Sequence, residues 1–542
     1  MFAPPTISKA DCIEQLKRLF DNKEVTVIMH NAKFDIQVLY SNGYKKLPEC
    51  KIIDTMIASW LLNPSALGKA PYSLEYLGET KLFLKGTEYS DLVQKGQTFA
   101  DIPLEKAAPY GAEDADFTWQ LWQILNKELK QNNLEDLYYN IEMKTLPVLT
   151  QMEINGIHLD KSALDSYSVE LEEQIKNKES QIYKEVGHEF NISSTKQLQT
   201  VLFEERGLVP GKKTKTGYST DTAVLEELAE RTSDPLPKAI LDYRSYTKLL
   251  STYVQALPKL TDKNSMIHTS FLQTGTATGR LSSRDPNLQN IPVRDENGRK
   301  IRAAFTALPG TVLISADYSQ IELVVLAHLS KDKNLCQAFI DGTDVHKATA
   351  SLIYNVKAEQ VTAEMRRFAK TVNFGVMYGM SAFRLANELG ISRTEAKNFI
   401  DQYFSTYADV KKFLDKTIEE AKRTEYVQTI MGRKREIKDI NNKNKLIQQG
   451  AQRIAINTPI QGSAADIVKI AMIQVQEELI KTNSKAKMLL QVHDELIFEC
   501  PDDKETIQKT IGLIKNKMEN AVKLNIPLRV SIEYGKSWGE FH

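Results

Sequence analysis

The chain has 542 residues, 42% of them apolar, and its 70 Lys plus Arg balance 70 Asp plus Glu, so it is too long for one compact core and bulk charge points to no polyanionic partner. Neutral totals can hide local fields, because salt screens each charge within about 10 Å, so placement matters more than the sum. Four scattered cysteines (Cys12, Cys50, Cys336, Cys500) form no CxxC pair, which argues against a zinc ribbon or disulfide framework. No signal pattern or bilayer-length apolar run is present, so a soluble, cytoplasmic protein with no membrane partner is expected.

Residues 1–135 read as mixed α/β: "VTVIM" (25–29) is a short strand and "EDADFTWQLWQILNKEL" (113–129) has helical apolar spacing. Residues 136–160 cross into a new unit, with Asn155-Gly156 marking a turn. Long amphipathic helix dominates 161–260, interrupted by the basic, glycine-flanked "GKKTKTGYST" (211–220). A strand-rich stretch fills 261–330, helices fill most of 331–447, and 448–542 holds a helix to about 481 followed by a hairpin. No internal repeat or low-complexity segment appears.

Within "TVLISADYSQIELVVLAHLS" (311–330), an apolar strand at Val312 to Ile314 delivers Asp317 to its end, and a helix follows at once. A carboxylate beside a buried sheet costs desolvation energy unless it meets a cation or donors. Ser319 and Glu322 fit an S-x-x-E capping box. In "LLQVHDELIF" (489–498), His493, Asp494 and Glu495 sit between two β-forming runs, where Asn-Gly would satisfy the turn. One reading is a polar tip facing water. The other is that Asp317 and Asp494 arrive on neighbouring strands and hold two Mg²⁺ ions, which take oxygen ligands, keep several waters and clamp an in-line phosphoryl displacement.

"EMRRFAKTVNFGVMYGMSAF" (364–383) spaces Arg366, Lys370, Phe374 and Tyr378 by four, so they line one helical face. Solvated cations with inward aromatics are one account. A grip on a triphosphate, with aromatics stacking on base and sugar, is the other.

Together these blocks resemble motifs A, B and C of the family A DNA polymerases: "DYSQIEL" (317–323), "RRFAKTVNFGVMYG" (366–379) and "QVHDE" (491–495). "TATGRLSSRDPNLQNIPVR" (276–294) and "RIAINTPIQGSAADIVK" (453–469) are also similar to that family. The resemblance implies an α/β and α+β multidomain fold, a right hand of palm, fingers and thumb. Its expected parts are the start of the palm at 136–160, thumb at 161–260, palm at 261–330 and 448–542, and fingers at 331–447. The implied activity is DNA-directed DNA synthesis by a monomer acting on primer-template DNA and deoxynucleoside triphosphates, with two Mg²⁺ ions for which Mn²⁺ can substitute. Asp317 and Asp494 would bind the metals, with Glu495 an acidic neighbour. Arg366, Lys370 and His346 would contact the triphosphate, Lys370 as general acid, while Phe374, Tyr378 and Gln320 would shape the nucleotide pocket.

Glu322 would be the steric gate against ribonucleotides, a role compatible with the capping box. Arg280, Arg294, Arg453, Asn457, Gln461 and His493 would touch primer, template or minor-groove edges, where acceptors common to all base pairs allow sensing without sequence reading. Arg294 and Arg453 also suit structural ion pairs. Lys212, Lys213 and Lys215 would be backbone phosphate contacts, or else a solvated loop.

The N-terminal part resembles a 3′-5′ proofreading exonuclease domain of RNase H-like fold. "HNAKFD" (30–35) and "YGAED" (110–114) match its second and third motifs through Asn31, Asp35, Tyr110 and Asp114. Its opening D-x-E has no match, since Asp11 and Glu14 have D-x-x-E spacing, so a partial domain without proofreading is expected. Three departures from the polymerase pattern stand out: Val324 where Arg is usual, Arg384 where Gly is usual, and Lys438 where Pro is usual. Arg384 is expected to strengthen template binding.

Overall fold

The computed structural model describes residues 7–211, 213–214, 217–292 and 296–541. They form two units: one of 1–155, 270–284 and 314–533, and one of 156–269, 285–313 and 534–542.

The larger unit begins with helix α1 (Lys9–Phe20), strand β1 (Thr26–Met29), helix α2 (Ala32–Ser41), strand β2 (Lys51–Asp54), helix α3 (Thr55–Leu62) and the long helix α4 (Leu104–Gln131). β1 and β2 pair in parallel, Thr26 opposite Lys51 through Met29 opposite Asp54. Asp54 ends β2 and caps α3, its carboxylate accepting from Met56 and Ile57 N–H, as a short acidic N-cap should. A further helix, α5 (Met143–Asn155), ends where Gly156 takes φ +64, so the expected Asn155-Gly156 turn is present. Trp60, Leu121, Trp122, Tyr138 and Leu146 form one core, against which Met431 and Ile470 also pack. The first 155 residues and the later chain therefore share apolar interior.

Strands β3 (Ser270–Leu272) and β4 (Ser282–Arg284) make a small antiparallel ribbon. Next come strand β5 (Thr311–Tyr318) and helices α6 (Ile321–Ser330), α7 (Val345–Tyr354), α8 (Ala363–Met377) and α9 (Ala382–Leu389). Helix α10 (Lys445–Lys481), the hairpin β6 (Lys487–Val492) and β7 (Glu495–Pro501), and β8 (Val530–Gly535) complete the framework. The main sheet has the order β6-β7-β5-β8. β5, β6 and β7 are buried along nearly their whole length, because α5 packs on β6 and the helix Lys504–Glu519 packs on β7. This explains why their sequences are continuous apolar runs rather than alternating ones.

In the smaller unit, Asp160 caps the helix Lys161–Val186 and Gly187, at φ +89, ends it. Ile182, Leu198, Leu202, Leu225, Leu236 and Ile240 form its core. A three-stranded sheet orders Met266–Ile267, Ile157–Leu159 and Phe305–Thr306. Among the described residues, no helix is long and apolar enough to cross a membrane.

Candidate active site

β5 is longer than its sequence suggests, so Asp317 lies one residue inside its end, half-buried. The hairpin is as tight as a two-residue connection allows: Val492 pairs with Glu495, leaving His493 and Asp494 at the tip. His493 takes φ +57, a left-handed conformation that costs a non-glycine residue about 1 kcal/mol, and the Gln491 side chain steadies the turn by donating to the His493 carbonyl. The tip does not simply face water. Tyr318 N–H donates to the Asp494 carbonyl at 3.2 Å, joining the backbone next to Asp317 to the turn that carries Asp494. Burial pushes the Asp494 carboxyl up to about 6, against the pull of Arg280 and with the repulsion of Glu322. Glu495 points elsewhere: it is buried and accepts from Ser315 Oγ at 2.6 Å.

The expected capping box at Ser319 and Glu322 does not form. Gln320, at φ 56 and ψ 43, is the N-cap of α6 and its side chain makes no capping bond. Glu322 is 5% exposed and is held by distant donors, the Arg280 guanidinium on one oxygen and the Tyr378 hydroxyl on the other at 2.6 Å. A charge-assisted pair plus a hydroxyl outweighs the single backbone N–H a box would offer. Gln461 lies close enough to the Tyr378 hydroxyl to favour its ionised form slightly, against the larger effect of burial. Arg280, Glu322 and Tyr378 thus form one polar chain, with Arg280 and Glu322 within electrostatic reach of Asp494.

The four-spaced row lies on α8 as its spacing predicts, with Tyr378 at the C-cap. Arg366 is exposed and ion-paired with Asp344 at 2.7 Å, and Lys370 is exposed. Phe374 and Tyr378 are half-buried with near-parallel rings, 6.5 Å between centroids and 16° apart. His346 is 2% exposed, bonded through Nδ1 to the Asn373 amide at 2.9 Å and 5.7 Å from the Phe374 ring. Burial pushes its imidazole down to about 4, against the pull of Asp344 and with the repulsion of Lys370 and Arg366, so it is neutral at pH 7.

Arg453, Asn457 and Gln461 fall at four-residue intervals along α10. Arg453 is exposed and makes no ion pair among the described residues; its stem lies against Gly379, where a Cβ would come within 2.9 Å of Arg453 Cγ. Lys213, in the smaller unit, is exposed on a two-residue strand paired with Gly217–Tyr218. Arg294, Lys212 and Lys215 lie outside the described residues. Val324 is buried at 2%, filling apolar space. Arg384 is exposed in the first turn of α9, and Lys438 is exposed beside Glu436.

Asn31, Asp35, Tyr110 and Asp114 converge on a second cleft of about 510 Å³ beside β1. Asp35 is pushed up to about 6 by burial and by the neighbouring charges of Asp54 and Asp114. Asp54, which the sequence reading missed, accepts from the N–H groups of Asn31 and Ala32. Asp11 and Glu14 sit on α1, a helix rather than a strand, and both are exposed. Asp21 is bound by the Tyr44 hydroxyl at 2.6 Å.

A buried ionic quartet also escaped notice. Arg433 and Lys469 both pair with Glu142, Arg433 also pairs with Asp466, and all four side chains are at most 1% exposed. Burial alone would raise Glu142, yet Lys469 and Arg433 hold it down at about 2. The signal was present in "GSAADIVK", where an acid and a lysine interrupt an otherwise buried run.

Residues 161–540 match the family described as DNA polymerase family A, and residues 1–130 match a 3′-5′ exonuclease family. The chain is 49% identical over 98% of its length to DNA polymerase I of Treponema pallidum and 45% identical over 99% to that of Borreliella burgdorferi. It spans 52% and 58% of those two proteins. Among solved structures it is similar to the POL domain of Pol1 from M. smegmatis in complex with DNA primer-template and dNTP. That likeness has a TM-score of 0.89 at 36% identity and covers 98% of this chain and 90% of the other.

Proposed function

Because the chain belongs to DNA polymerase family A, we propose that it extends a primer 3′-hydroxyl by template-directed addition of deoxynucleoside monophosphates. The observation that supports this reading is the Tyr318 to Asp494 backbone hydrogen bond, which joins the strand that carries Asp317 to the turn that carries Asp494, the two candidate metal ligands. The donor set fits a hard divalent cation: both side chains offer oxygen, and the burial of Asp494 outweighs the cationic compensation it receives. When bound there by Asp317 and Asp494, Mg²⁺ or Mn²⁺ would supply charge stabilisation for phosphoryl transfer.

The chain's own groups do the rest. Arg366 and Lys370, exposed on one face of α8, bind the triphosphate. Lys370 holds the proton that the departing pyrophosphate needs. Phe374 and Tyr378 present ring faces to the incoming base and sugar. Glu322, pinned from two sides, is a stiff wall where a ribose 2′-hydroxyl would sit, so deoxynucleotides are favoured. His346, neutral and buried, supports the Phe374 ring and contributes no charge to the triphosphate. Arg453, Asn457, Gln461 and His493 face primer and template, and the sheet, the helices of 331–447 and the helices of 161–260 serve as palm, fingers and thumb.

The exonuclease-like cleft does not proofread in this reading. Asp35 and Asp114 would have to hold a divalent ion with no strand-borne D-x-E among the described residues to complete the set. One assay tests both parts. Primer extension requiring Mg²⁺, a template and deoxynucleoside triphosphates is expected, with a 3′ mismatch left in place when triphosphates are omitted. Failure to extend overturns the polymerase reading, and Mg²⁺-dependent mismatch removal overturns the second.

A further inference from the structure

We propose that Trp60, in the exonuclease-like segment, is a positioning residue for the polymerase site, acting through the loop 273–280 on Arg280. The inference rests on the polymerase reading for its functional consequence, though its structural part can be tested alone.

Trp60 lies on α3 with 0% exposure. Its ring faces two buried cations, Arg433 at 5.1 Å and Lys469 at 5.3 Å from the centroid. Its indole N–H reaches away from them and donates to the Thr276 carbonyl at 3.0 Å. The loop is held at two further points. Gln273 donates to the Glu142 carbonyl at 3.0 Å and to its carboxylate at 2.7 Å. Gly279, at φ +88, lies so close to Arg433 that a Cβ there would meet Nε at 2.5 Å. Inside the loop the Thr276 hydroxyl donates to the Arg280 carbonyl at 2.8 Å. Arg280 then grips Glu322, which accepts from Tyr378.

The two ends of Trp60 do different work. An aromatic ring of any kind can satisfy the cations. Only the indole offers a donor to the loop carbonyl, which is half-buried and loses this hydrogen bond when the donor is removed. The segment matching an exonuclease family therefore contributes to the sugar selectivity of a site it does not line.

The test uses the full chain and compares wild type with Trp60→Phe and Gly279→Ala, which disturb the loop from opposite sides. Amide hydrogen exchange at residues 274–280 is expected to quicken in both, while the thermal midpoint of Trp60→Phe moves by less than about 8 °C. The ratio of kcat/KM for a deoxynucleotide to that for the matching ribonucleotide is expected to narrow roughly three- to tenfold in both. Added to Glu322→Ala, Trp60→Phe is expected to narrow it no further, because the path ends at Glu322. Unchanged exchange in folded Trp60→Phe overturns the inference whether or not the chain polymerises. An unchanged ratio, or a further loss in the Glu322→Ala background, overturns it where wild type extends primers. A wild-type chain that extends nothing instead defeats the polymerase reading, and the exchange experiment still judges the loop.

Discussion

The main-chain N–H of Tyr318 and the carbonyl of Asp494, 3.2 Å apart, tie the end of β5 to the tip of the β6–β7 hairpin. This bond makes the acid-bearing turn part of the sheet, so a side-chain change at either acid leaves the strand framework in place. Asp317→Asn and Asp494→Asn are therefore expected to lower single-turnover extension by about a thousandfold or more while primer-template affinity changes less than about threefold. Fluorescence anisotropy and rapid quench measure the two quantities separately. Near-normal extension by either variant would remove that acid from the proposed chemistry.

Glu322 anchors two partners, so its removal has two signatures. Glu322→Ala is expected to admit ribonucleotides and to destabilise the chain by about 1–3 kcal/mol, because the partly exposed Arg280 loses its counter-ion. Tyr378→Phe keeps the ring and loses one bond, so a smaller loosening of sugar discrimination is expected. Parallel measurement of incorporation and urea unfolding separates wall from anchor. Unchanged selectivity in Glu322→Ala would leave it a structural carboxylate.

The buried quartet behaves as a unit. Glu142→Gln leaves Arg433 and Lys469 short of negative charge where all side chains are at most 1% exposed, and a loss of about 3–5 kcal/mol is expected. Chemical denaturation reads this directly. A change below about 1 kcal/mol would mean that water reaches the quartet in solution.

His346 should imprint a pH dependence on stability. Its folded value of about 4 lies below the ordinary 6.5, so between these the unfolded chain takes up a proton that the folded chain refuses. Stability is then full above 6.5 and declines as pH falls towards 4, by about 3 kcal/mol over the window. His346→Gln is expected to flatten that part of the curve. Wild-type and variant stability curves running parallel across the window would contradict the shielding.

Arg384 is exposed at the start of α9 where the family resemblance expects glycine. If it meets template phosphate, Arg384→Gly lowers the slope of log affinity against log salt by about 1. An unchanged slope would leave Arg384 an ordinary surface cation.

Much of this site could be read from local pattern. The spacing of Arg366, Lys370, Phe374 and Tyr378 put them on one helical face, and two apolar runs around His493 and Asp494 gave the hairpin. What failed was governed by distant partners. The capping box at Ser319 was a sound local inference, undone by Arg280 and Tyr378, 42 and 56 positions from Glu322. Arg433 finds Glu142 across 291 positions, a pairing that no periodicity encodes. The left-handed backbone at Gln320 was likewise invisible, since glutamine signals no positive φ, and the enrichment of histidine there was too weak a cue to mark His493.

The shared interior around Trp60, Leu121, Met431 and Ile470 means that the border between the two family matches is not a seam. A chain trimmed to the residues that match the polymerase family would expose an oily flank and strip the cover from Arg433, Asp466 and Lys469, inviting clumping before any assay began. The first 130 residues work as masonry for the rest, and engineering a shorter form of this chain would have to rebuild that wall.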